Sequence, residues 1–131
     1  MPYALPALTT LAALLVYVAT SIYVARARGK FKIDAPAMTG NPDFERVIRV
    51  QMNTLEQIVA FLPALWLCAV FLSAPWAAGI GAVWVIGRIL YAVGYYREAA
   101  KRGPGFVLAF TAFAALWAGA LWGVLAALLR G

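Results

Sequence analysis

Histidine is absent from this 131-residue sequence, cysteine occurs once, and only 12% of the residues are charged. Without histidine, the chain has no imidazole to serve as a metal ligand, a catalytic base or a proton shuttle. Cys68 has no second cysteine to pair with, so a disulfide within the chain is excluded. The sequence is instead strongly apolar, with 65% hydrophobic residues and a mean hydropathy of +0.84. This composition indicates a membrane protein and argues against a soluble domain.

Four apolar stretches approach or exceed the roughly 20 residues that a helix needs to cross a bilayer. They predict helices at about residues 5–25, 42–72, 76–102 and 106–129, all within one domain of residues 1–131. We therefore expect an all-α, integral-membrane four-helix bundle with up-down topology. The first stretch has no basic segment before it and is longer than the apolar part of a signal peptide, so we expect it to remain as an anchor.

Most of the eleven basic residues follow the apolar part of the first or the third predicted helix. They are Arg26, Arg28, Lys30, Lys32, Arg97, Lys101 and Arg102. The positive-inside rule then predicts that both of these loops are cytoplasmic and that both termini lie on the opposite side. Topology and anionic lipid headgroups explain the net charge of +6, so we expect membrane lipids and no nucleic acid as partners.

Short sequence signals predict where the middle helices begin and end. Asn41 can cap a helix that begins at Pro42, a residue suited to the first helical position. Pro63 predicts a kink in this second helix. The sequence Gly103-Pro104-Gly105 predicts that the third helix stops at residue 102.

Polar side chains form a stripe on the predicted second helix, although burying them would cost free energy. The stripe consists of Arg46, Arg49, Asn53 and Glu56. At about 100° per residue, these four fall within an arc of about 80°. Gln51 points to another side, and a helix with two polar faces suits a position between subunits.

A second stripe on the predicted third helix consists of Arg88, Tyr91, Tyr95 and Arg102, within an arc of about 60°. Two facing stripes of this composition suit a ligand with several anionic groups and one ammonium group. A structural interpretation is also open: the charged residues could form ion pairs between helices. The tyrosines could then belong to an interfacial aromatic belt, with the loop cations fixing only topology.

Two segments together resemble the MAPEG family, the membrane-associated proteins of eicosanoid and glutathione metabolism. They are "NPDFERVIRVQMNTLE" and "GRILYAVGYYREAAKRGPGF". The resemblance covers nearly the whole chain. It implies a homotrimer with a glutathione site between adjacent subunits, open to the cytoplasm, and an activity of the microsomal glutathione transferase type. Reduction of lipid hydroperoxides with glutathione is a second activity that it implies.

The resemblance also implies roles for individual residues. Arg102 matches an arginine that stabilises the glutathione thiolate. The positions matching glutathione-binding or motif residues are Arg28, Arg49, Gln51, Asn53, Glu56, Arg88, Tyr91 and Tyr95. Glutathione would be a co-substrate, no metal is expected, and the hydrophobic electrophile would arrive from the bilayer. Arginines suit the two carboxylates of glutathione and Glu56 suits its ammonium group.

Two positions depart from the family pattern. Gln57 follows Glu56 where relatives often have tyrosine, so one ring contact to glutathione is missing. Gly29 replaces the second arginine of a pair found in the leukotriene-forming branch, which argues against that product. A non-catalytic lipid-binding or scaffold protein of the same fold remains the alternative. A structural bundle or a transporter subunit ranks third, because few carboxylates are present for proton coupling.

Overall fold

The computed structural model describes all 131 residues and consists of long α-helices joined by short connections. The helices are α1 (Ala4–Phe31), α2 (Pro42–Phe71), α3 (Ala74–Arg97) and α4 (Gly103–Arg130), with a 3₁₀-helix at Ala99–Arg102. No residue is in a β-strand. The predicted all-α, four-helix fold is therefore confirmed, and short connections make neighbouring helices antiparallel.

The first helix, α1, continues to Phe31, six residues beyond the predicted end at residue 25. Arginine and lysine are good helix formers, and their charge is favourable at a helix C-terminus. The basic segment therefore extends the helix beyond its apolar part. The helix ends where Lys32 takes a left-handed conformation, with φ 55°, and donates its backbone N–H to the Arg28 carbonyl.

The second helix, α2, begins at Pro42, as the sequence predicts. The Asn41 side chain accepts hydrogen bonds from the N–H groups of Asp43 (2.8 Å) and Phe44 (3.2 Å). These bonds satisfy donors that the first turn of a helix leaves without partners. The helix continues through Pro63 to Phe71, and its 30 residues give it a length of about 45 Å.

The connection between α3 and α4 differs most from the prediction. α3 ends at Arg97, five residues before the predicted end, and Glu98 is extended with φ −162° and ψ 131°. Gly103-Pro104-Gly105 lies at the start of α4 and does not terminate α3 directly. Proline is tolerated in the first turn of a helix because its missing N–H would have no partner there. The same three residues that signal a helix end can therefore begin one.

Two glycines bring this connection close to α3. Gly105 lies against the backbone of Tyr91, and Gly94 lies against the carbonyl of Lys101, so neither position has space for a Cβ atom. Glycine is the residue that allows such close backbone approach. The 3₁₀-helix is thereby held against the end of α3.

The core lies between the helices, where Phe61 of α2 stacks on Trp84 of α3 with ring centroids 3.9 Å apart. Many leucines on the outer faces are exposed. All four helices are long and apolar enough to cross a membrane, with mean hydropathies between 1.6 and 2.0 over their most apolar windows. We call the end of the bundle that contains residues 26–49 and 94–105 the basic end, since it carries most of the basic residues.

Candidate functional site

A cavity of about 370 Å³ lies at the basic end, where α2 faces the end of α3 and the 3₁₀-helix. Its lining residues are Arg49, Met52, Asn53, Glu56, Tyr91, Tyr95 and Arg102. We call it the polar cavity. The two predicted stripes therefore meet, even though Arg102 is on the 3₁₀-helix and not on α3 as predicted. The volume is within the range of about 300–1,000 Å³ typical of small-molecule sites.

The charged groups of the polar cavity are not paired with each other. The chain has two ion pairs, Arg46 with Asp43 and Lys101 with Glu98, and both are between residues of one local turn. Arg49 and Glu56 are both exposed and take part in neither pair. The ion-pair network between helices that the sequence left open is therefore absent from this chain. The charges remain available for a ligand.

An amide oxygen in the same cavity also lacks a partner. Asn53 Oδ1 is buried and accepts no hydrogen bond. A buried acceptor without a donor is costly, and such groups usually have a partner in the functional state. A ligand N–H or a water molecule is the donor that this position requires.

The aromatic wall of the cavity is built from Tyr91 and Tyr95, one turn apart on α3. Their rings meet edge to face, with centroids 5.6 Å apart and an interplanar angle of 82°. The Arg102 guanidinium lies 5.4 Å from the centroid of the Tyr95 ring and donates a hydrogen bond of 2.8 Å to the Ala99 carbonyl. Arg102 is therefore directed by both the ring and the 3₁₀-helix, while its side chain remains exposed.

Arg88 lies behind this wall and does not line the cavity. Its side chain is 1% exposed, and its guanidinium carbon lies 4.1 Å from the centroid of the Tyr91 ring. Its Nη2 donates a hydrogen bond of 2.8 Å to Thr54 Oγ1, while Nε and Nη1 have no partner. In this chain Arg88 therefore packs on Tyr91 and does not line the polar cavity, and its predicted contact with glutathione stays a prediction.

Arg28 and Gln51 are also absent from the lining of the polar cavity. The Arg28 guanidinium donates hydrogen bonds to the carbonyls of Ile33 (3.3 Å) and Ala37 (2.7 Å) in the first loop. Gln51 is half-buried on another side of α2. Gln57 does not line the cavity either.

One lining residue, Met52, was not predicted. It is exposed and lies three residues after Arg49 and four before Glu56, which places it on the same side of α2. This helical spacing was a usable signal. An apolar side chain carries no polar signal, so the two stripes of polar residues do not include it.

An apolar groove of about 450 Å³ lies farther along α2, between α2 and α4. Ala60, which lines it, is one turn beyond Glu56. Further lining residues are Pro63 and Leu67 of α2 and Trp117 and Leu121 of α4. A polar space and an apolar space therefore follow one another along α2. The chain contains no group of three or more histidine, cysteine or acidic residues that could hold a metal ion.

Comparison with known proteins gives a match to the MAPEG family model over residues 6–122. A Synechocystis protein, sll1147, described as uncharacterized, is 52% identical over 120 residues, which are 92% of this chain and 88% of that protein. Human microsomal glutathione S-transferase 2 is 40% identical over 96 residues, covering 73% of this chain and 65% of the human protein.

Bovine leukotriene C4 synthase is 38% identical over 99 residues, covering 76% of this chain and 66% of the bovine protein. The chain thus spans slightly less than two thirds of the length of the human and bovine proteins. The resemblance that the two sequence motifs predict is confirmed over most of the chain.

Proposed function

This chain belongs to the MAPEG family, and from that premise we propose that it is a membrane-bound glutathione transferase that attacks hydrophobic electrophiles. Two of the relatives are named for a glutathione transferase and a leukotriene C4 synthase. The observation that carries the proposal is the polar cavity. Its unpaired arginines, tyrosines and single carboxylate suit glutathione better than an apolar lipid.

Charge complementarity supports glutathione as the ligand. The tripeptide has two carboxylates, one ammonium group and one thiol. Arg49 is available for a carboxylate, and Glu56 is available for the ammonium group, because neither takes part in an ion pair within the chain. Hydrogen bonds between charged partners are shorter and stronger than neutral ones. The unpartnered Asn53 Oδ1 would accept an N–H of the peptide.

Arg102 is the residue that we assign to thiol activation. A thiol attacks an electrophile as the thiolate, and a nearby guanidinium lowers the pKa of a thiol by stabilising the anion. A guanidinium does not lose its own proton in this range, so Arg102 acts electrostatically and the thiol proton leaves to solvent. With an aryl halide, the sulfur forms a bond to the ring carbon and the halide departs with its electron pair.

The apolar groove between α2 and α4 suits the second substrate. It begins one turn beyond Glu56, so a hydrophobic electrophile could enter it from the bilayer and approach the sulfur. Holding both reactants in position accounts for a large part of the rate in reactions of this type. Catalysis would then rest on positioning and thiolate stabilisation.

We further propose a homotrimer with sites between adjacent subunits. Arg28 and Gln51 do not line the polar cavity of their own chain, so we assign them to the site of a neighbouring subunit. The positive-inside rule puts the basic end, and with it the site, on the cytoplasmic side. Cytoplasmic access fits a water-soluble tripeptide.

A direct experiment separates the enzyme from the non-catalytic scaffold. Glutathione is added to the purified protein, and ultraviolet absorbance is recorded in the band where a thiolate absorbs and a thiol does not. S-methylglutathione, which has no ionisable thiol, is the matched control. We expect an increase with glutathione alone. If saturating glutathione binds without this increase, the catalytic proposal is wrong and the scaffold interpretation is favoured.

A further inference from the structure

A second cavity of about 520 Å³ lies at the basic end, between α1, α2 and the end of α3. We call it the basic cavity. The residues that matter for its chemistry are Tyr23, Arg26, Lys30, Asp43, Arg46 and Tyr96. It shares no lining residue with the polar cavity and has no role in the proposed transferase reaction.

The basic cavity has an excess of positive charge. Arg46 is paired with Asp43, whereas Arg26 and Lys30 are exposed and form no ion pair. The Nε of Arg46 is buried and has no hydrogen-bond acceptor. The cavity is thus lined by three cations and one carboxylate, which gives it a net positive charge that suits an anionic ligand. Cations at the end of membrane-spanning helices are positioned for the headgroup region.

Two tyrosines connect the basic cavity to an apolar groove. Tyr23 of α1 and Tyr96 of α3 pack with ring centroids 5.0 Å apart. Both also line a groove of about 310 Å³ between α1 and α3, together with Leu15 and Val93. The Tyr96 hydroxyl oxygen is buried and has no hydrogen-bond partner. A polar donor without an acceptor therefore lies where the charged and apolar spaces meet.

We propose that the basic cavity and this groove together bind one anionic phospholipid. The phosphate would lie between Arg26, Lys30 and Arg46. The Tyr96 hydroxyl would donate a hydrogen bond to the headgroup or to an ester carbonyl, and one acyl chain would follow the groove.

The continuity of the two spaces favours a lipid over a free anion. A free phosphate would use the cations and leave the apolar groove unfilled, whereas a phospholipid matches both. A tyrosine pair at the junction is also consistent with the membrane interface, where aromatic residues with a polar tip are enriched. Basic pockets between transmembrane helices bind anionic headgroups in the same way.

The test is a lipid titration of the purified protein followed by native mass spectrometry. Phosphatidylglycerol is compared with phosphatidylcholine that has identical acyl chains. We expect phosphatidylglycerol to bind more tightly. Arg26→Gln combined with Lys30→Gln should lower its affinity by about 25-fold, because each cation near an anionic lipid surface contributes about fivefold. If the double variant is not recovered as folded protein, Lys30→Gln alone should lower the affinity for phosphatidylglycerol by about fivefold.

Lys32→Gln combined with Arg97→Gln is the matched control, since both cations are exposed at the basic end and neither lines the cavity. This control should bind phosphatidylglycerol as the unmodified protein does. An equal loss in the control, or no preference between the two lipids, would show that only overall surface charge matters and would overturn the proposal.

Two further experiments distinguish the lipid from a free phosphate and from a second copy of this chain. Ala19 is exposed and lines the groove, so Ala19→Trp should fill it and weaken phosphatidylglycerol binding. Displacement of the lipid by an equal concentration of glycerol 3-phosphate would identify a free-phosphate site and contradict the lipid. If Ala19→Trp instead lowered the number of chains per particle with lipid binding unchanged, the groove would be a contact between copies and the proposal would be wrong.

Discussion

Tyr95 and Tyr96 are consecutive residues of α3, and their rings line two different cavities at the basic end. Tyr95 lies beside the Arg102 guanidinium, whereas Tyr96 packs against Tyr23 of α1. Because successive helical residues point about 100° apart, the polar cavity and the basic cavity lie on different sides of the same turn of α3. Substitutions in one cavity can therefore be used to test its ligand without removing a contact in the other.

Arg102→Ala should lower turnover with an aryl halide by about 100-fold, the size of effect seen when one group that stabilises developing charge is removed. Glutathione affinity should fall much less, since Arg49, Glu56 and the tyrosines remain. Steady-state kinetics and calorimetric glutathione binding measure the two quantities separately. The thiolate absorbance should disappear in the same variant.

Lys101→Ala is the control for this substitution. Lys101 is adjacent, exposed and engaged in a surface ion pair with Glu98 at 3.8 Å, and it does not line the polar cavity. Its turnover should match that of the unmodified protein. If Arg102→Ala retained full turnover, Arg102 would not be the residue that stabilises the thiolate.

Glu56→Gln should weaken glutathione binding by roughly 10- to 100-fold, because it removes a hydrogen bond to a charged group worth about 1.5–3 kcal/mol. The change keeps the shape of the side chain, and the helical content and the oligomeric mass should be unaffected. Isothermal titration calorimetry gives the affinity. Glu45→Gln, also on α2 but outside the polar cavity, should bind glutathione normally. A scaffold with no glutathione site predicts no difference between these variants.

Thr54→Val should destabilise the fold by about 1–3 kcal/mol, since it leaves the buried Arg88 guanidinium without its one hydrogen-bond acceptor. The two side chains are nearly isosteric, so packing changes little. Denaturant unfolding in detergent, followed by circular dichroism, measures the loss. Thr111→Val is the control, because Thr111 is exposed and bonds only to the Val107 carbonyl of its own helix. Equal stability of both variants would show that the bond to Thr54 contributes nothing.

The sequence predicted the four helices and the two polar stripes because both depend on local periodicity. Asn41 and Pro42 identified the start of α2 through backbone groups only a few residues away. The predicted end of α3, at residue 102, was wrong for a different reason. Glycine and proline indicate a boundary, but whether they end one helix or begin the next depends on packing against Tyr91, which is distant in sequence.

The role of Arg88 was also beyond the reach of the sequence. Its position on the stripe groups it with the cavity-lining residues, and helical angle alone cannot show that its guanidinium packs on the Tyr91 ring. The basic cavity was missed because its cations come from α1 and α2 and its tyrosines from α1 and α3. The same cations had been explained by topology, an interpretation that needs no specific ligand.

Gly105→Ala should destabilise the protein by about 1–3 kcal/mol through overpacking, because a methyl group there would collide with the backbone of Tyr91. The backbone cannot rotate away as a side chain can, so α4 must move away from α3. This movement also displaces Tyr91 from the wall of the polar cavity, and glutathione affinity should fall together with stability.

Gly79→Ala is the matched control, since an added Cβ atom at Gly79 meets nothing within 4 Å. Replacing a glycine inside a helix by alanine normally stabilises it by about 0.5–1 kcal/mol, so the two variants should shift denaturant unfolding in opposite directions. A gain in stability for both would show that α3 and α4 are not held at the close distance on which the shape of the polar cavity depends.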